Sequence, residues 1–123
     1  YPAIHYGRDS LAGIGLFLTH LAKSGMKCSE LRDSYPAYVI SKNKIELTPE
    51  IDVDSILEGM KEKYADEDIN TIDGVKIDFP TEWVHLRKSN TEPIIRIYAE
   101  SDTREKADAL ANRIIGDIKN LIA

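Results

Sequence analysis

Cysteine is nearly absent. Cys28 is the only one in 123 residues, so no internal disulfide can form and the fold must rest on packing. The lone thiol has no evident catalytic partner and reads as a small structural side chain. Unbroken apolar runs are also missing, and none approaches the ~20 residues of a membrane span. No signal-peptide or lipidation pattern is present. These absences set the expectation of a reducing, cytoplasmic setting with no membrane partner. Positive charge is in deficit, with 16 Lys and Arg against 21 Asp and Glu, a net charge of −5. Sequence-independent nucleic-acid binding relies on a basic, aromatic-studded face, and none is expected here. His5, His20 and His85 lie far apart, without metal-ligand spacing. Asp52, Asp54, Asp66, Glu67 and Asp68 lack the Gly and Glu placement of a calcium loop. No metal site is expected within the chain. With 42% hydrophobic and 30% charged residues, the composition fits one ordinary globular domain, or a small one with an attachment.

Gly7-Arg8-Asp9-Ser10 reads as a turn into a helix, capped by Asp9 or Ser10. Leu11, Ile14, Leu18 and Leu21 follow at helical spacing, and Gly25 stops the run. A short helix around Ser29–Arg32 ends near Tyr35-Pro36. Two helices without a strand are expected to be the tail of a preceding domain. That places a boundary between residues 1–37 and 38–123. The apolar stripe of the first helix then needs cover, from the C-terminal domain or from a second copy of the chain.

From Tyr38 the pattern changes. Tyr38 to Leu47 is rich in strand formers, although Ser41-Lys42-Asn43-Lys44 interrupts it. Val53, Ile56, Leu57, Met60 and Tyr64 stripe a helix, closed by the acidic run Asp66-Glu67-Asp68. Ile72, Asp73-Gly74 and Val75–Phe79 read as strand, type I′ turn and strand. Trp83–Arg87 and Ile94–Glu100 are further strands. Asp102-Thr103-Arg104-Glu105 has capping-box spacing, with Asp102 as the cap. The last helix carries Ala107, Leu110, Ala111, Ile114, Ile118 and Leu121 on one side. The order from Tyr38 is β-α-β-β-β-α. It predicts an α+β domain, a small antiparallel sheet with helices on one face.

Between the last two strands lies Arg87-Lys88-Ser89-Asn90-Thr91-Glu92-Pro93. Arg87 offers a planar fork to two phosphate oxygens. Ser89 and Thr91 supply hydroxyls, Asn90 an amide, and turn N–H groups a nest for an anion. Pro93 stiffens the exit. The same residues also make an ordinary polar loop, since Ser-Asn-Thr is common turn chemistry. Glu92 opposes an anion unless it points away. Spacing alone leaves both readings open.

The run from Arg87 to Pro93, followed by Ile94-Ile95-Arg96-Ile97, resembles the phosphate-binding loop in the C-terminal domain of the α-D-phosphohexomutases. The lead-in Thr71–Phe79, with its Asp-Gly turn, and Trp83 in the strand before the loop are similar too. The resemblance spans about Tyr38 to Ala123. Tyr1 to Met26 looks, more loosely, like the end of that family's third domain, an α/β unit. The resemblance implies a fold like that of the TATA-box-binding protein and a domain that holds the non-reacting phosphate of a hexose phosphate. Carried over by position, Arg87, Ser89, Asn90 and Thr91 would be the phosphate ligands. Lys88 and Arg96 would be auxiliary, Arg96 first of all a charge partner for Glu92 or Glu100. His85 is the histidine nearest the loop, and strand packing is its expected role.

Members of the family move a phosphoryl group between the 1 and 6 positions of a hexose through a phosphoserine, assisted by Mg²⁺. The chain holds no Thr-Ala-Ser-His-type segment and no Asp-Gly-Asp-Gly-Asp-Arg-type metal loop. The resemblance therefore implies no catalytic residue here, no metal bound by this chain, upstream domains as partners, and no turnover by these 123 residues alone. Asn90 leans toward the phosphomannomutase and phosphoglucomutase side rather than the phosphoglucosamine branch. The competing expectations are a phosphoglucosamine mutase of the same family and a non-catalytic phosphate- or sugar-phosphate-binding module.

Overall fold

The computed structural model describes every residue except Tyr1, Ile4, His5, Pro49, Asn90 and Ala123. It divides into two compact units, Tyr1–Pro36 and Ala37–Ala123.

The first unit holds α1 (Ser10–Ser24) and α2 (Cys28–Asp33). Asp9 caps α1, its Oδ1 accepting from the Ala12 amide at 2.9 Å. Gly25 ends it in the left-handed region at φ 67°, a position that glycine occupies without a Cβ penalty. No residue of α1 is buried. Leu11, Ile14, Leu16 and Leu18 are each more than half exposed.

The second unit runs β1 (Val39–Glu46), α3 (Val53–Lys63), β2 (Asp68–Asn70), β3 (Val75–Asp78), β4 (Trp83–Lys88), β5 (Ile94–Ser101) and α4 (Arg104–Ile122). The strands form one antiparallel sheet in the order β1-β5-β4-β3-β2. Alternation decides what each face carries. Val75 and Ile77, Val84 and Leu86, and Ile95, Ile97 and Ala99 all point to one side and are buried. Ile56, Leu57 and Met60 of α3 and Leu110, Ala111, Ile114 and Ile118 of α4 close over them in a single core. Each Val, Leu, Ile or Met among them contributes about 1.5–3 kcal/mol when fully buried. Among the described residues of this unit, no helix covers the other side of the sheet.

The α+β class holds, with one strand more than the pattern implied. β2 has three residues with only Ile69 half-buried, too short and polar to announce itself. Asp68 therefore belongs to a strand, and α3 stops at Lys63 instead of running on to the acidic run. The type I′ expectation fails as well. Such a turn needs φ > 0 at both central residues. Among the described residues only Gly25 and Gly74 have positive φ, so Asp73 does not. Ile72 is 92% exposed and lies in the loop between β2 and β3.

β1 runs straight through Ser41–Lys44 because its polar inward residues are satisfied. Buried Ser41 donates to the Asp108 carboxylate of α4, and Asn43 Nδ2 donates to Ser41 Oγ at 3.0 Å. At α4 the cap falls one residue later than expected. Thr103 Oγ1 accepts from the Lys106 amide at 3.3 Å, while Asp102 takes the Lys106 ammonium at 2.7 Å.

On the helical side, Tyr64 and Phe79 meet edge to face at 5.9 Å, and Arg113 lies 4.9 Å from the Phe79 ring centre. Tyr64 Oη and Lys63 Nζ both donate to Asp117, each at 2.6 Å. Burial, and then the bond to Asp117, push the Tyr64 hydroxyl up to about 12. Burial alone would raise the Asp117 carboxyl, but the bonds from Lys63 and Tyr64 outweigh it and hold the group below its usual range.

Candidate functional site

The loop joining β4 to β5 is shorter than the sequence run that announced it. Arg87 and Lys88 are both strand residues at the end of β4. Neighbours on a strand point to opposite faces, so the two cations are separated. Lys88 reaches the first turn of α3 and clasps the Asp54 carboxylate at 2.7 and 2.8 Å. Arg87 lies on the open face, with Nε 3.2 Å from Asp73 Oδ1.

The loop closes on itself. The Ser89 amide donates to Ile94 O at 3.1 Å, and the Ile94 amide to Glu92 O at 2.8 Å. Ser89 Oγ and Thr91 Oγ1 stand 3.4 Å apart, and the Thr91 amide points at Ser89 Oγ, also at 3.4 Å. At such lengths neither contact holds its groups tightly, and both remain available to a better acceptor. Asn90, named as a ligand from the sequence, lies outside the described residues. Pro93 O accepts the Leu47 amide at 2.9 Å and ties the exit to the end of β1.

Strand register adds what spacing could not. Lys44 of β1 lies directly opposite Arg96 of β5, and Arg96 directly opposite Arg87 of β4. Three cations thus cross three adjacent strands in one row at the loop end of the open face. Like charges placed opposite one another destabilise a sheet, a cost that a bound anion would relieve. Arg96 forms no ion pair with Glu92 or Glu100 among the described residues. Glu100 instead accepts from Trp83 Nε1 at 2.9 Å. Lys44 pairs with Glu46 at 2.9 Å; this hydrogen bond, and then the charge of Glu46, raise the ammonium and lower the carboxyl.

Away from the loop the charge stays positive for one more row and then changes sign. The next row is Lys42, Tyr98, His85 and Lys76, and the one beyond it Ile40, Glu100, Trp83 and Asp78. Lys42 lies 5.7 Å from the Tyr98 ring centre and Lys76 5.3 Å from that of Trp83. Lys76 also pairs with Asp78. The open face is thus more aromatic and basic than the composition implied, because alternation collects these residues on one side.

Two hollows flank the loop. One of about 580 Å³ lies on the α3 side, lined by Glu50, Ile51, Asp52, Val53, Asp54, Lys88 and Ser89. Its carboxylates make it hostile to a phosphate, and its one lysine is already held by Asp54. Asp52 is occupied as the cap of α3; the Ser55 hydroxyl, and then the Asp54 amide, hold its carboxyl below the usual range. The other hollow, about 320 Å³, is lined by Lys42, Asn43, Lys44, Glu92, Ile94, Arg96 and Tyr98. Electrostatics favours an anion there. Among the described residues no group of three or more His, Cys, Asp or Glu is placed to hold a metal ion. None of their helices is long and apolar enough to cross a membrane.

His85 is half-buried in β4, and its Nε2 meets the main-chain oxygen of Asp73. His20 is exposed on α1, and His5 lies outside the described residues. Lys44 and Asp73 are the neighbours of the site that sequence reasoning missed. Nothing in the sequence sets the register of β1 on β5 or folds the β2–β3 loop beside Arg87.

With this arrangement in place, comparison with known proteins identifies its class. Residues 42–116 match the family model described as phosphoglucomutase/phosphomannomutase, C-terminal domain. The chain belongs to that family and contains its C-terminal domain. It is 37% identical over 99% of its length to a phosphoglucosamine/phosphogalactosamine mutase of Sulfurisphaera tokodaii, and spans 26% of that protein. It is 40% identical over 87% of its length to a phosphoglucomutase/phosphomannomutase of Thermococcus kodakarensis, spanning 24% of it. A probable phosphoglucosamine mutase of Methanopyrus kandleri is 29% identical over 99% of this chain, which spans 27% of that protein.

Proposed function

We propose that the loop end of the open face grips the phosphate of a hexose phosphate. In this reading the chain is the phosphate-holding part of a longer cytoplasmic phosphohexomutase of the phosphomannomutase or phosphoglucomutase type. That enzyme interconverts the 1- and 6-phosphates. The observation that carries the proposal is the row Lys44, Arg96 and Arg87 at the end of the sheet where the loop with Ser89 and Thr91 joins β4 to β5. Arg87, Ser89, Asn90 and Thr91 are the ligands, and Arg96 supports them. Lys88 anchors the loop through Asp54 and stays clear of the phosphate. The contribution to rate is capture and positioning, which convert an encounter into an oriented complex. Residues 1–37 are the end of the preceding domain, and the upstream domains supply the phosphoserine and the Mg²⁺ loop. The exposed stripe of α1 makes self-association a property of the chain in isolation.

The sugar is a separate matter. The Sulfurisphaera tokodaii relative favours a second reading, a phosphoglucosamine mutase of the same family.

An amide-resolved NMR titration of the 123-residue chain with glucose 6-phosphate, mannose 6-phosphate and inorganic phosphate tests the grip, beside Arg87→Ala. Saturable shifts at Ser89 to Thr91, lost in the variant, are the expected result. Shifts of equal size in the variant would sink the assignment. The purified chain is expected to show no mutase turnover, whereas the longer polypeptide, assayed on mannose, glucose and glucosamine 1-phosphates, decides between the two sugar readings.

A further inference from the structure

We infer that Asp73 is a positioning residue for Arg87, orienting the guanidinium so that its outer edge meets the phosphate; this rests on the proposed phosphate grip.

Asp73 sits in the loop between β2 and β3, yet that loop is fastened to β4 at three consecutive positions. His85 Nε2 meets Asp73 O. A Cβ on Gly74 would lie 2.2 Å from Leu86 O, so the loop backbone rests against β4 at closer range than any side chain permits. Arg87 Nε then meets Asp73 Oδ1 at 3.2 Å. A loop held this closely delivers its carboxylate to one place.

The choice of atom matters. A guanidinium has an edge containing Nε and an outer edge formed by the two Nη groups. A carboxylate at Nε leaves the outer fork for bidentate binding of phosphate, the geometry in which arginine is strongest. It also limits the swing of a side chain that is 53% exposed and is pushed by Arg96 from the neighbouring strand.

Two consequences of Asp73 oppose each other, and their signs differ. As a positioner, the carboxylate strengthens phosphate binding by ordering Arg87 beforehand. As a bare negative charge near the site, it weakens binding. An exposed pair of this kind has a modest effect, so the expected change is roughly twofold to fivefold.

The experiment titrates the 123-residue chain with inorganic phosphate and mannose 6-phosphate, comparing wild type, Asp73→Asn and Asp73→Glu. Affinity and the Arg87 Nε–Hε resonance are followed together, and amide spectra check that each variant is folded. The expected result is weaker binding by Asp73→Asn, an Arg87 resonance that moves toward the value of free arginine, and partial recovery of both in Asp73→Glu. Unchanged or tighter binding by folded Asp73→Asn would overturn the positioning role while leaving the phosphate grip intact. Absence of any response in wild type would overturn the grip, and the inference with it.

Discussion

The two faces of the five-stranded sheet are built from the same residues in alternation, yet obey different rules. On the helix side, Val84, Leu86, Ile95, Ile97 and Ala99 are each 0% exposed, and any apolar side chain of suitable volume would serve. On the open side, neighbours in the same strands set charge against like charge and aromatic rings beside ammonium groups. The first face minimises energy within the chain. The second sets three cations in a row at its loop end, where Glu46 and Asp73 offset the charge of Lys44 and Arg87 and Arg96 has no ion pair among the described residues. That row is the feature on which the proposed phosphate grip rests.

The contrast is open to attack at several strengths. Ile97 and Tyr98 are consecutive and face opposite ways. Ile97→Ala should destabilise the chain by about 2–5 kcal/mol in urea unfolding. Tyr98→Ala should cost clearly less, and equal losses would erase the distinction. Arg87→Ala should act the other way round, weakening phosphate binding about tenfold to a hundredfold, the worth of charge-assisted bonds, while leaving the urea midpoint almost unmoved. Gly74→Ala links the faces, because its φ of 74° and its approach to Leu86 O leave no room for a methyl. A loss of ~1–3 kcal/mol is expected, together with weaker phosphate binding as the loop is lifted from Arg87.

The smallest effect concerns pH. The Tyr64 hydroxyl, raised to about 12, contributes stability that is present below its ordinary value near 10 and lost as pH rises through 12. Asp117, lowered, contributes stability present above the ordinary carboxylate range and lost as pH falls through its folded value. Tyr64→Phe should flatten the alkaline limb of a stability–pH curve and leave phosphate binding unchanged. A change in binding would mean that the two sides of the sheet communicate.

Legibility in the sequence followed the same division. The covered face could be read because period-2 alternation in Val75–Phe79 and the stripe from Ala107 to Ile118 are statements about burial. β2 escaped because Asp68-Ile69-Asn70 has one apolar residue to announce it. The cap of α4 moved by one residue because Asp102 and Thr103 are both good caps, and only the Asp102–Lys106 pair decides between them. At the site, the motif from Arg87 to Pro93 could be read as a resemblance. Its division could not, since Lys88 turns away only once β4 is known to run to Lys88. Lys44 was out of reach for a stronger reason. Its place beside Arg96 depends on pairing between the first strand of the domain and the last, which no local pattern encodes.

That pairing also has a history in time. β1 is made first and β5 last, so Val39 waits for Ser101 and Glu46 for Ile94 before the sheet can close. Closing a contact between distant parts of the chain is entropically slow, and pairings of this kind limit folding rates. The row of cations therefore does not exist in a nascent chain that has already formed the β3–β4 hairpin. In the proposed grip Lys44 joins Arg96 and Arg87 only once β1 pairs with β5, so phosphate should slow the release of β1 and act as a clasp on the most distant contact in the domain.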